Sequence, residues 1–126
     1  MAPRYLLRVV TDFAAAHNLR GYAGECYRLH GHNWKLEVEV LASALDAVGM
    51  GIDFRVIKAA ARSACAGLDH QYLNELPPFK EINPTAENIA AHLYRGLSAL
   101  LNSETVRVAA VTLWETERAS VRYSEE

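Results

Sequence analysis

The sequence predicts an α+β fold in which helices pack on one face of an antiparallel sheet. Three observations predict it: two strand-like stretches open the chain, two segments with helical spacing occupy its middle, and two more strand-like runs close it. The resulting order, ββααββ, groups strands as hairpins instead of interleaving them with helices, and so favours an antiparallel over a parallel sheet.

The first strand is expected from Tyr5 to Phe13, where β-branched and aromatic residues are frequent. In the second, Asn33 to Val40, Trp34, Leu36, Val38 and Val40 alternate with Lys35, Glu37 and Glu39, the period of a half-buried strand. Between them, His17 to Arg28 carries Gly21 and Gly24 and follows neither period, so it reads as a long loop. After the Gly49-Met50-Gly51 turn, Asp53 can cap a helix whose apolar positions are Ile57, Ala60, Ala61, Ala64 and Leu68, with Gly67 placed to end it. A proline-rich segment, Pro77-Pro78 through Pro84, leads to a second helix that Thr85 can cap and whose apolar stripe is Ile89, Leu93, Leu97, Leu100 and Leu101. The closing strands are expected at Val106 to Trp114 and Ala119 to Tyr123.

At 126 residues, 51% of them hydrophobic, the chain has material for one domain with a substantial core, spanning residues 1–126. Its 13 basic and 15 acidic side chains leave a net charge of −2, too little field to gather nucleic acid or anionic lipid. Two cysteines, Cys26 and Cys65, are too few for a disulfide framework. The start, Met1-Ala2-Pro3-Arg4, lacks the layout of a signal peptide, and no apolar run is long enough for a bilayer, so a cytoplasmic protein is expected. Four strands alone leave two open sheet edges, which assembly of copies into a homo-oligomer would protect.

Chemistry concentrates in Cys26-Tyr27-Arg28-Leu29-His30-Gly31-His32, which runs straight into the second strand. Histidines at i and i+2 of an extended chain share a face, roughly 6.5 to 7 Å apart along the backbone, and can converge on one ion. His17 can supply a third imidazole if the first two strands pair, leaving a fourth tetrahedral position open as a catalytic zinc site requires. Zinc suits these nitrogens best, and iron, cobalt or nickel can share them; the plain alternative is a pair of strand-entry histidines bonded to backbone. Cys26, beside such an ion, could be a ligand, a general base or a nucleophile, or a small loop residue of no chemical consequence, whereas Cys65 on the alanine-rich helix face reads as packing. Asp69-His70 reads equally as a proton shuttle or as a helix C-terminal cap. Glu115, at the end of an apolar strand, could be a hairpin charge or the bidentate acceptor of a guanidine-like ligand edge. His92, alone in mid-helix, reads as structural or exposed.

Taken together, Phe13-Ala14-Ala15-Ala16-His17, Cys26 to Asn33, Ile52-Asp53-Phe54, Leu68-Asp69-His70, Asn83-Pro84-Thr85-Ala86-Glu87-Asn88 and Trp114-Glu115-Thr116 resemble the 6-pyruvoyltetrahydropterin synthase superfamily over nearly the whole chain. Only Tyr27, Arg28 and Leu29 separate Cys26 from His30, a spacing similar to that of the queuosine-pathway branch, the 6-carboxytetrahydropterin synthases. The resemblance implies a tunnelling fold (T-fold), ββααββ subunits joining sheets into a barrel as trimers or hexamers. It implies zinc on His17, His30 and His32, Cys26 as the catalytic thiol, Asp69 and His70 as its proton-transfer partners, and Glu115 as anchor of the pterin amino-pyrimidine edge. The implied reaction converts 7,8-dihydroneopterin triphosphate to 6-carboxytetrahydropterin with loss of acetaldehyde and triphosphate. Arg20 and Arg28 are the candidate contacts of the triphosphate. Two other readings share the fold: an enzyme that only eliminates triphosphate to give 6-pyruvoyltetrahydropterin, and a non-enzymatic metal-binding oligomer.

Overall fold

The alternation that opens the chain is carried through a long hairpin. β1 (Tyr5–His17) and β2 (His30–Ala42) pair antiparallel in unbroken register from Tyr5 opposite Ala42 to His17 opposite His30. In this computed structural model, which describes residues 2–21 and 28–126, both strands run further toward the loop than their apolar pattern predicts. The added residues, Ala14 to His17 and His30 to His32, are small or polar, so they carry no strand signature and are held by pairing and by contacts from distant parts of the chain.

Side chains of opposed residues emerge on the same side of the sheet, so Val9, Phe13, Ala15 and His17 share a face with Trp34, Leu36, Val38 and Val40, all buried. Two helices cover that face. α1 (Phe54–Ala66) starts where Asp53 accepts a hydrogen bond from the Arg55 amide, packs against β1, and buries Ile57, Ala60, Ala61 and Cys65. α2 (Ala86–Leu101) starts at Thr85, whose side chain accepts from the Asn88 amide, and packs on β4 (Val106–Thr116). Its last turn delivers Leu101 to the core, while Leu100, expected there too, is 57% exposed. Successive helix positions are about 100° apart, so both leucines cannot face the sheet.

β5 (Ala119–Tyr123) closes a hairpin with β4. The sequence does not announce one further strand: β3 (Gln71–Tyr72) pairs parallel with Ala15 and Ala16, giving five strands among the described residues in the order β3-β1-β2-β4-β5. Two residues are too short for any periodicity to register. Among the described residues, no helix is long and apolar enough to cross a membrane.

The sheet's other face carries a buried carboxylate. Glu39, expected in solvent, is 4% exposed. Arg8, directly opposite on β1, and Arg122 on β5 fold over it: Arg8 Nε lies 3.3 Å from Oε1, and Arg122 Nε donates to Oε2 at 2.9 Å. Long arginine stems supply the cover and their charged heads the partners.

Candidate metal centre

Pairing of β1 with β2 puts His17 opposite His30 and small Ala15 opposite His32, all on the helix-covered face but at the end of the sheet. With a methyl group as its neighbour, the His32 ring can lean toward the other two. Ring centroids are 4.6 Å apart for His17 and His30, 4.7 Å for His30 and His32, and 5.4 Å for His17 and His32. Beneath them lies Trp34, fully buried, its ring edge-on to His17 at 5.1 Å and to His32 at 5.3 Å, its indole N–H donating to the Ala15 carbonyl. Trp34 is two residues beyond His32, so alternation alone could have nominated it as the floor of the site.

The ring nitrogens are sorted by their partners. His17 Nδ1 lies 2.7 Å from the Pro84 carbonyl and His30 Nδ1 lies 2.7 Å from the Arg28 carbonyl. A carbonyl only accepts, so each Nδ1 carries the proton and each Nε2 is left with its lone pair. Those two Nε2 atoms face one another at 3.0 Å. Neutral imidazoles in this tautomer cannot bond to each other there; a cation between or beside them can satisfy both. Burial, the largest influence, holds His17 and His32 below the ordinary imidazole value of 6.5, which disfavours a proton in that place.

Glu115 of β4 completes the group. Its Oε1 lies 3.3 Å from His17 Nε2 and 3.2 Å from His32 Nε2, the latter a buried nitrogen that makes no hydrogen bond among the described residues. Among the described residues, His17, His30, His32 and Glu115 place one ligand atom each within 4.8 Å of one another, and this set can hold a metal ion. Three imidazoles and a carboxylate suit zinc and its first-row neighbours. The carboxylate side chain is 34% exposed, against 2% for His17 and 19% for His32, and is reachable both by an ion and by a molecule bound to it.

Asp69 and His70 stand beside this centre. Asp69 Oδ1 accepts from the Ala14 amide at 2.9 Å and lies 3.0 Å from His70 Nδ1, while the His70 amide donates to the Ala14 carbonyl. The main-chain donation holds the Asp69 carboxyl below its ordinary value first, and His70 adds to it. His70 adopts a left-handed backbone, φ 59°, uncommon outside glycine and asparagine, and its ring projects 81% exposed. His32 and His70 line one cleft of about 490 Å³ with Gly31, Asn33, Gln71 and Tyr72.

The other predicted residues divide. Cys26 lies outside the described residues, as do its neighbours from 22 to 27. Arg20 is half-buried and donates through Nη2 to the Phe79 carbonyl at 2.7 Å, so part of its guanidinium is engaged with the chain itself. Arg28 is exposed and lends its carbonyl to His30. Cys65 is buried in the core, and burial pushes its thiol up to about 12, as befits a packing residue. His92 packs edge-on against Phe79 at 5.5 Å, away from the centre.

This fold and this donor set have known counterparts. Residues 6–126 match the family model described as 6-pyruvoyl tetrahydropterin synthase. The chain belongs to that family. A 6-carboxy-5,6,7,8-tetrahydropterin synthase of Rickettsia typhi is 33% identical over 87% of this chain and 93% of its own. The protein of that name from Synechocystis is 34% identical over 89% and 87%, respectively. These relatives are lyases of the family. Among solved structures, Caenorhabditis elegans 6-pyruvoyl tetrahydropterin synthase superposes with a TM-score of 0.87, covering 99% of this chain and 98% of that one at 24% identity. A Plasmodium vivax 6-pyruvoyltetrahydropterin synthase gives 0.75 at 18% identity over 98% and 99%. Both likenesses are of fold, and they bear out the T-fold expected from the motifs.

Proposed function

We propose that the chain is a zinc-dependent lyase that converts 7,8-dihydroneopterin triphosphate and water to 6-carboxy-5,6,7,8-tetrahydropterin, acetaldehyde and triphosphate, in the biosynthesis of queuosine and related 7-deazapurines. One observation carries it: the Nε2 atoms of His17 and His30, 3.0 Å apart and both without a proton, beside a carboxylate that an incoming ligand can reach. The curated relatives that carry the 6-carboxy name at about a third identity supply the choice of reaction.

In this reading His17, His30 and His32 hold the ion, which when bound supplies Lewis acidity toward the hydroxyl oxygens of the substrate side chain. Cys26 removes a proton from that side chain. His70, oriented by Asp69, handles protons from the cleft it shares with His32. Glu115 stands where it can hold either the ion or the amino-pyrimidine edge of the pterin. Arg28 and Arg20 meet the triphosphate. The working protein is a cytoplasmic homo-oligomer, a trimer or hexamer, whose sheets join at their edges.

The test is product analysis after incubation of the zinc-loaded protein with 7,8-dihydroneopterin triphosphate. Stoichiometric acetaldehyde with 6-carboxytetrahydropterin is expected. Triphosphate without acetaldehyde would assign the elimination to 6-pyruvoyltetrahydropterin instead, and no turnover in the parent and in a Cys26→Ala variant alike would leave a metal-binding oligomer.

A further inference from the structure

β1 ends at His17, yet the next residues are not left to solvent. On the side where β3 pairs with Ala15 and Ala16, two asparagine side chains continue the pairing. The Asn18 amide donates to Asn74 Oδ1 at 3.0 Å while Asn74 Nδ2 donates to the Asn18 carbonyl at 2.9 Å. Two residues on, the Arg20 amide donates to Asn83 Oδ1 at 2.9 Å and Asn83 Nδ2 donates to the Arg20 carbonyl at 2.7 Å. A side-chain amide carries one acceptor and two donors on adjacent atoms, so it can do for a single residue what a neighbouring strand does. Asn74 is 9% exposed, and its position comes from the short 3-10 turn Leu73–Glu75.

Asn83 is tied to the metal centre from its other end. Its own carbonyl accepts from Asn88 Nδ2 in the first turn of α2, and the carbonyl of the following residue, buried Pro84, accepts from His17 Nδ1. The chain leaving His17 and the carbonyl that sets the His17 tautomer are thus joined through one residue.

We infer that Asn83, with Asn74 beside it, is a positioning residue for the metal centre: its amide locks the main chain that follows His17 to the segment whose carbonyl orients the His17 ring. The inference rests on the reading of His17, His30 and His32 as metal ligands. Glutamine at either position would overshoot by a methylene, and aspartate would keep the acceptor but turn a carboxylate toward the Arg20 carbonyl, so neither is equivalent.

Zinc affinity, measured by competition with a chromophoric chelator, and the visible spectrum of the cobalt(II)-loaded protein test this without recourse to activity. Asn83→Ala and Asn83→Asp are expected to bind zinc about 10–100-fold more weakly than the parent, the range for loss of a group that orients a ligand, and to shift the cobalt spectrum. Asn102→Ala is the control: it removes the hydrogen bond that Val108 makes at the far end of α2, and it should lower thermal stability yet leave affinity and spectrum at parent values. Should Asn83→Ala not fold, Asn88→Ala, which removes only the strut on the Asn83 carbonyl, takes its place with the same expectation. Parent-like affinity and spectrum in the folded variants, or an equal loss in Asn102→Ala, overturns the inference alone. A parent that binds neither metal overturns the metal-centre reading on which it stands.

Discussion

Glu115 Oε1 stands 3.2 Å from Nε2 of His32, a buried nitrogen that makes no hydrogen bond among the described residues. An ion among this carboxylate and the ring nitrogens would pair them all, and the members of the set differ in what else they do. His30→Ala removes a half-buried ring and is expected to take most of the bound zinc with little change in the stability of the metal-free protein. His17→Ala removes a ring only 1% exposed and leaves the Pro84 carbonyl unpaired, so it should lose zinc and also about 1–3 kcal/mol of stability. Glu115→Gln, which keeps an oxygen donor at that place, should weaken zinc less than His30→Ala does. Elemental analysis and denaturant unfolding in chelator check all three, and a full zinc complement in His30→Ala would contradict the ligand assignment.

The buried Glu39 carboxylate makes a second prediction. Arg122→Met leaves it with Arg8 alone, taking away a charge-assisted hydrogen bond, and should cost about 1.5–3 kcal/mol. Glu39→Met should cost less, because Arg8 and Arg122 are more than half exposed and can turn to water while the apolar side chain fills the place. Denaturant midpoints of the two variants give the order, and a larger loss for Glu39→Met would show that the arginines are not free to rehydrate.

Acid should loosen the fold through His92. Burial first, and Arg95 second, hold its pKa below 6.5 in the folded chain. Between that lowered value and 6.5 the unfolded chain binds a proton that the folded chain does not, so this contribution to stability is full above 6.5 and falls as pH drops through the window. His92→Gln cannot take up the proton in either state. Its loss of stability between pH values about one unit either side of 6.5 should be smaller than the parent's, and an identical loss would remove His92 from the account.

Gly51 is required for space. A Cβ built on it would come within 2.5 Å of the Ala42 Cβ, at the end of β2. Gly51→Ala should therefore destabilise by about 1–3 kcal/mol through overpacking. Gly31→Ala is the contrast, because among the described residues a Cβ there meets only the Ala15 carbonyl at 4.0 Å, and its midpoint should stay near the parent's.

Local chemistry declares itself in the sequence. The alternation around Trp34 to Val40, the caps Asp53 and Thr85, and a pair of histidines at i and i+2 follow from periods of two and 3.6 residues that need no knowledge of the rest of the chain. For that reason the hairpins, the helices and three imidazoles of the centre were legible, as was the family through its short motifs. Packing decided what those periods do not encode. Pro84 reaches His17 across 67 positions, Glu115 joins the imidazoles from β4, β3 exists only because Ala15 and Ala16 offer it a partner, and Glu39 is buried only because arginines from β1 and β5 close over it. A side chain's direction is set by its neighbours along the chain, but its partner is set by which elements the core brings together.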